Sequence, residues 1–238
     1  FVVTGPVPGS GKLAICLCNL YHDYKKGIRA GYDKFETYPI WDLPLNNMVN
    51  VAYEAATPDL RDRNMIDTHH KKAYGVEVVN YNRDIEAFNL LKRILEKITG
   101  GEAMYQSPTD MGVNRASSGI VDNQIVQEAA YQEVIRRYFR SAVEYAMGLT
   151  GKSTLDRSLD IMNRIGAKES DRKVVAAARS AAVAAEEKGM GYGGIYSGAA
   201  VELHDGTIIT GKSSPLFHAS SSMILNATKH LAGLPDSM

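Results

Sequence analysis

Apolar residues recur along this chain at helical spacing in several blocks, separated by glycine, proline and polar stretches. An opening apolar run, Phe1-Val2-Val3, predicts a buried strand, and Leu13, Cys16, Leu17, Leu20 and Tyr24 then predict a helix stopped near Gly27. Residues 31–47, with Pro39, Trp41 and Pro44, read as irregular with a short extended piece near Phe35. A helix from Asn47 to Ala56 ends at Thr57-Pro58, because a residue before proline is pushed out of the helical region. Asp67 reads as the N-cap of a short helix through Tyr74, closed by Gly75, and Val76–Tyr81 as a strand. Ile85, Phe88, Leu91, Leu95 and Ile98 form the stripe of an amphipathic helix that ends at Gly100-Gly101.

Beyond Gly101 the pattern turns polar and loop-like to Ile120. Asp122 then opens a long helix, and Ser153, with Asp156 in capping-box position, opens another that stops at Gly166. In the last third Ser170 reads as the cap of an alanine-rich helix ending at Gly189. Asp205-Gly206 between Ala199–Leu203 and Thr207–Thr210 signals a hairpin. Ser214-Pro215 reads as the cap and first residue of a final helix carrying Phe217, Ile224 and Leu231 on one face. The expected fold class is α/β. It comprises a P-loop-like, Rossmann-like first region (1–110), a helical middle subdomain (111–166) and an α-β-β-α subdomain (167–238) with a deaminase-like outline.

Composition narrows the function classes. Of 238 residues, 45% are hydrophobic and 23% charged, and Lys plus Arg equals Asp plus Glu at 27 each. No global field therefore points to nucleic acid, and no apolar run is long enough to span a membrane. The cysteines Cys16 and Cys18 lie two apart on a helix, facing different ways, which predicts reduced core thiols and a cytoplasmic setting. An opening strand with no Met before it predicts a chain that belongs to a longer protein.

The chemistry concentrates in "TGPVPGSGKL". A strand, a glycine-rich loop and a helix in that order can ring a phosphate with backbone N–H groups, while a lysine adds charge. Gly5, Gly9, Ser10, Gly11 and Lys12 are the candidate phosphate-binding residues. The spacing departs from a Walker loop: five residues separate Gly5 from Gly11, and Leu13 stands where a hydroxyl would hold Mg²⁺. A loop that binds nothing and only turns the chain is the alternative.

Together "TGPVPGSGKLAICLCNLYHDYKKGI", "KFETYPIWDLPLNN", "NVAYEAATPDL", "VNYNRDIEAFNLL" and "SPTDMGVN" resemble uncharacterised protein family 0371, bacterial proteins also grouped as a domain of unknown function. The resemblance runs through essentially the whole chain. It implies a cytosolic bacterial protein, longer at both ends, with a P-loop-like N-terminal region and no implied reaction.

Other polar clusters supply the opposite wall of a ligand site. His70, in "DTHH", is a general-base candidate, and Asp110 in "SPTDMGVN" is the second catalytic candidate. Thr109, Asn114 and Arg83 are ligand-wall candidates, Arg83 as an anion clamp. Adjacent histidines on a helix diverge, so no metal is expected at His69 and His70. "FHAS" at 217–220 sits where zinc deaminases place a ligand, but the acid and the paired cysteines are missing, so no zinc is expected at His218. The expected partner is a phosphorylated small metabolite or nucleotide, with a homo-oligomer possible and neither nucleic acid nor membrane involved. A non-enzymatic ligand-sensing or assembly module is the competing reading.

Overall fold

The structure is a computed structural model that describes residues 1–238 apart from 7–8, 36–38, 102–103, 113 and 236–238. It is mixed α/β with helix predominant, and it divides into two compact units, Phe1–Ile161 and Met162–Met238. The first unit contains α1 (Lys12–Lys25), α2 (Met48–Ala56), β1 (Asn64–Ile66), α3 (Thr68–Tyr74), β2 (Val79–Tyr81), α4 (Asn82–Thr99) and α5 (Asn123–Ala146). The division falls within α6 (Lys152–Arg164). In the second unit follow α7 (Val175–Glu187), β3 (Gly198–Glu202), β4 (Ile208–Lys212) and α8 (Ala219–Leu231).

The core of the first unit grows from the two stripes read in the sequence. Leu20 of α1 and Phe88 and Leu95 of α4 bury themselves with Met111, and Leu17, Tyr24, Leu91 and Ile98 flank them. Polar side chains pin the adjoining segments. Asn50 of α2 accepts from Ile40 N at 2.8 Å and donates to Ile40 O at 2.9 Å, and buried Glu54 accepts from Asn64 N at 2.6 Å. Asn47 caps α2 through Val49 N, and α5 packs along α2.

Several boundaries move. Phe1–Gly5 forms no strand, and Phe1 and Val2 are exposed: a strand needs a ladder partner, and none of the described residues provides one. The P-loop-like loop includes Val7 and Pro8, which lie outside the described residues. The strand expected over Val76–Tyr81 shortens to Val79–Tyr81 and pairs antiparallel with Asn64–Ile66, a strand with no alternation to announce it. Both sheets among the described residues are two-stranded and antiparallel. Cys18 is exposed and Cys16 half-buried, so neither is a core thiol.

The second unit follows the order α7-β3-β4-α8. Helix α7 starts at Val175 rather than at a Ser170 cap, after a short turn at Glu169–Asp171. Helix α8 starts at Ala219, because Ser214 spends its Oγ on the local amides of Leu216 and Phe217 at 3.3 and 3.0 Å. Similarly α6 begins at Lys152, and Asp156 accepts from Lys152 Nζ at 2.7 Å instead of closing a capping box.

Glycine sets the layering of this unit. Gly198 and Gly211 belong to adjacent cross-strand pairs, Gly198 with Lys212 and Ala199 with Gly211, so their side-chain directions oppose. A Cβ at Gly198 would strike the α7 backbone at Ala178 and Ala182, and one at Gly211 would strike the α8 backbone at Met223 and Ala219. One helix therefore covers each face of the hairpin.

Candidate functional site

Packing of α1 on α4 leaves a cleft at the N-terminal end of α1, with a volume of about 440 Å³. Leu13, Cys16, Leu91, Ile94 and Met111 supply apolar wall, and Lys12, Asp33, Lys34 and Asp84 supply charge. The chain enters α1 through Gly9 and Gly11, both left-handed (φ 79° and 84°), a conformation glycine adopts without the Cβ penalty. Gly11 is the N-cap residue and no side chain caps the helix. Gly5 folds back so closely that a Cβ there would meet Ser10 Oγ, and Lys12 Nζ donates to Ser10 Oγ at 3.2 Å. Gly9, Ser10 and Gly11 are exposed.

Lys34 and Asp84 join the cleft to a smaller cavity. Lys34 Nζ donates to Asp84 Oδ2 at 2.5 Å, with Asp84 in the first turn of α4, where the helix dipole favours an anion. Both residues, with Pro108, also line a cavity of about 20 Å³ among Pro39, Trp41, Val79, Asn80, Thr109, Gly112 and Asn114. That is room for about one water molecule. Trp41 Nε1 is buried without a hydrogen-bond partner. Its backbone joins Asn114 O at 3.1 Å and Val79 N at 3.1 Å, and the Arg115 guanidinium lies 4.8 Å from its ring centroid.

Behind the cavity lies a polar cluster built on Asp67, which is fully buried. Its Oδ1 accepts from His69 N and His70 N at 2.9 and 3.0 Å and so caps α3 as expected. Its Oδ2 accepts from Thr109 Oγ1 at 2.6 Å, tying α3 to the turn Pro108–Met111. Thr109 Oγ1 in turn accepts from Asn80 Nδ2 at 3.0 Å. Ser107 and Asp110 form a capping box on that turn. His70 Nδ1 shares a hydrogen bond of 2.9 Å with Ser107 Oγ and stands 3.6 Å from Asp110 Oδ1. Asp110 Oδ2 also accepts from Tyr74 OH at 2.9 Å. Burial, then that hydrogen bond, pushes the Tyr74 phenol above its ordinary pKa.

The structure thus brings His70, Asp110 and Thr109 together, with Asn114 on the adjoining cavity, and puts Lys12 on the cleft. Arg83 lines neither place, and reaches them only through Asp84, whose Oδ1 lies 4.0 Å from its Nε. Arg83 sits 3.4 Å from the buried Asp62 carboxylate and over the Tyr81 ring. Burial raises the Asp62 pKa, against the pull of Arg83. Lys34, Asp84 and Trp41 went unassigned to a site in the sequence; their partners lie far off along the chain, where no local pattern reports them.

Family comparison adds identity to this geometry. The model for "Domain of unknown function DUF1846, N-terminal" matches residues 1–166, and that for "Domain of unknown function DUF1846, C-terminal" matches 170–238. This chain belongs to the DUF1846 family. Among the relatives of this DUF1846 chain, a "UPF0371 protein" of Clostridium botulinum (strain Kyoto / Type A2) is 55% identical over 235 residues, 99% of the chain. A "UPF0371 protein" of Clostridium tetani (strain Massachusetts / E88) is 54% identical over the same share. The DUF1846 chain spans about half the length of these relatives, 47% in each case. The family resemblance read from the sequence is therefore right. No helix among the described residues is long and apolar enough to cross a membrane.

Proposed function

We propose that the cleft at the start of α1 binds a phosphorylated small metabolite or nucleotide. The observation that carries this reading is the cleft itself. Its volume lies within the range of about 300–1,000 Å³ typical of small-molecule sites, and it opens beside the first turn of α1 with Lys12 in its lining. The anionic group would meet the Gly9–Lys12 backbone amides, the positive end of the helix dipole and the Lys12 ammonium. A base or other apolar moiety would lie against Leu13, Leu91 and Met111. Ser10 holds Lys12 toward the loop.

His70 and Asp110 act in this proposal as positioning residues. Their hydrogen bonds set the turn at Pro108–Met111, and Pro108 and Met111 form part of the cleft wall. Those bonds occupy His70 Nδ1 and Asp110 Oδ2 and so fix the orientation of both groups.

Calorimetric titration of ATP and of inorganic phosphate, with and without Mg²⁺, tests the proposal. Saturable binding should weaken about tenfold or more in Lys12→Ala, since a charge-assisted hydrogen bond is lost. Mg²⁺ should change the affinity little, because Leu13 offers no oxygen ligand. Binding that Lys12→Ala leaves untouched, or that depends on Mg²⁺, would count against the assignment.

A further inference from the structure

The hairpin of the second unit has one edge that no other described residue pairs with. Ser213 N donates to Ser197 O at 2.9 Å at one end of the ladder, and Leu203 N donates to Thr207 O at 2.8 Å at the other. Antiparallel pairs alternate between exchanging and not exchanging backbone hydrogen bonds. The pairs between these ends therefore leave the N–H and C=O groups of Gly198, Ala200 and Glu202 pointing away from β4. On β4 the matching outward edge is partly occupied, because Asn226 Nδ2 donates to Thr210 O at 2.8 Å. The β3 edge carries one charge, at its end, where Glu202 pairs with Lys173 Nζ at 3.4 Å; Gly198–Val201 is uncharged, and neither lysine nor proline interrupts it.

The unit is also short of core. Its buried hydrophobic residues among those described are Met162, Ala167, Ala185 and Ala219, and only the first is large. Ile195, Leu216, Ile224 and Leu231 are meanwhile more than half exposed. A helix on each face of two strands leaves little apolar surface buried, and two-stranded sheets are marginal by themselves.

We infer that the outer edge of β3 is a strand-docking edge, and that its occupant is an extended segment of the additional polypeptide carried by the longer family members. The relatives supply that polypeptide: this chain accounts for 47% of their length. A segment on the same molecule meets the edge at the effective concentration of a tether, which a second copy in dilute solution does not match. The backbone ladder supplies the affinity, and the small side chains of β3 let the incoming strand sit beneath the flanking helix.

Amide hydrogen exchange read by NMR tests this. It is run on the full-length Clostridium botulinum relative and on this chain at several concentrations. In this chain Ala199 and Val201 should be protected and Gly198, Ala200 and Glu202 should not. At the aligned positions of the relative, the latter three should exchange more than about tenfold slower than in this chain, independent of concentration. Fast exchange at those positions in the relative would overturn the inference. So would protection that appears in this chain alone and grows with its concentration, which would make the occupant a second copy.

Discussion

Both carboxylate oxygens of Asp67 are engaged inside the protein, one on the α3 amides of His69 and His70 and the other on Thr109. Replacing it with alanine removes a helix cap and leaves the Thr109 hydroxyl short of a buried partner. Asp67→Ala should cost about 2–4 kcal/mol by denaturant titration. A cost below that of an ordinary surface substitution would show that the cluster does not hold the turn. Glu133 gives a pH-dependent counterpart. The hydrogen bond from Arg136 does most to lower its pKa, burial opposes it, and Arg137 adds to the lowering, leaving it at about 2 against an ordinary 4.5. The folded value is the depressed one, so the stabilisation is full above about 4.5 and is lost as pH falls through about 2. These groups are partly exposed, so the gap between wild type and Glu133→Gln should be under about 1 kcal/mol at pH 7. It should close as pH falls toward the folded pKa. A gap that persists in acid would assign it to packing.

At the scale of elements, Gly198 and Gly211 let α7 and α8 approach the hairpin from opposite faces, with helix backbone where a Cβ would go. Gly198→Ala or Gly211→Ala should each destabilise this unit by about 1–3 kcal/mol or more, seen as an earlier melting phase in circular dichroism. Unchanged melting would mean the helices lie farther off. The helices that build the first core were legible because their apolar stripes are long: Leu17, Leu20 and Tyr24 on α1 meet Phe88, Leu91 and Leu95 on α4. Strand β1 was not, being three residues long and paired with β2 across an intervening helix. The start of α8 was misplaced because Ser214 caps a local turn as readily as a helix. In the candidate site the Gly-Lys stretch announces itself by composition. The Lys34–Asp84 and Asp67–Thr109 contacts span 50 and 42 residues, and no local period encodes them.

At the scale of the whole molecule, the two family models divide the chain near the place where its two compact units divide. The chain spans 47% of the length of its clostridial relatives. Within the first unit, the central claim is that an anion enters the cleft at the start of α1. Its most direct measurement is a ¹H–¹⁵N titration of this chain with inorganic phosphate and with ATP, following the amides of Gly9, Ser10, Gly11 and Lys12. Saturable shifts centred on these amides are the expected result, with an affinity about tenfold or more weaker in Lys12→Ala. The affinity should be unchanged in a Lys92→Ala control, at an α4 residue that bonds Gln106 and does not line the cleft. Shifts that are absent, that fail to saturate, or that centre elsewhere on the protein would contradict it.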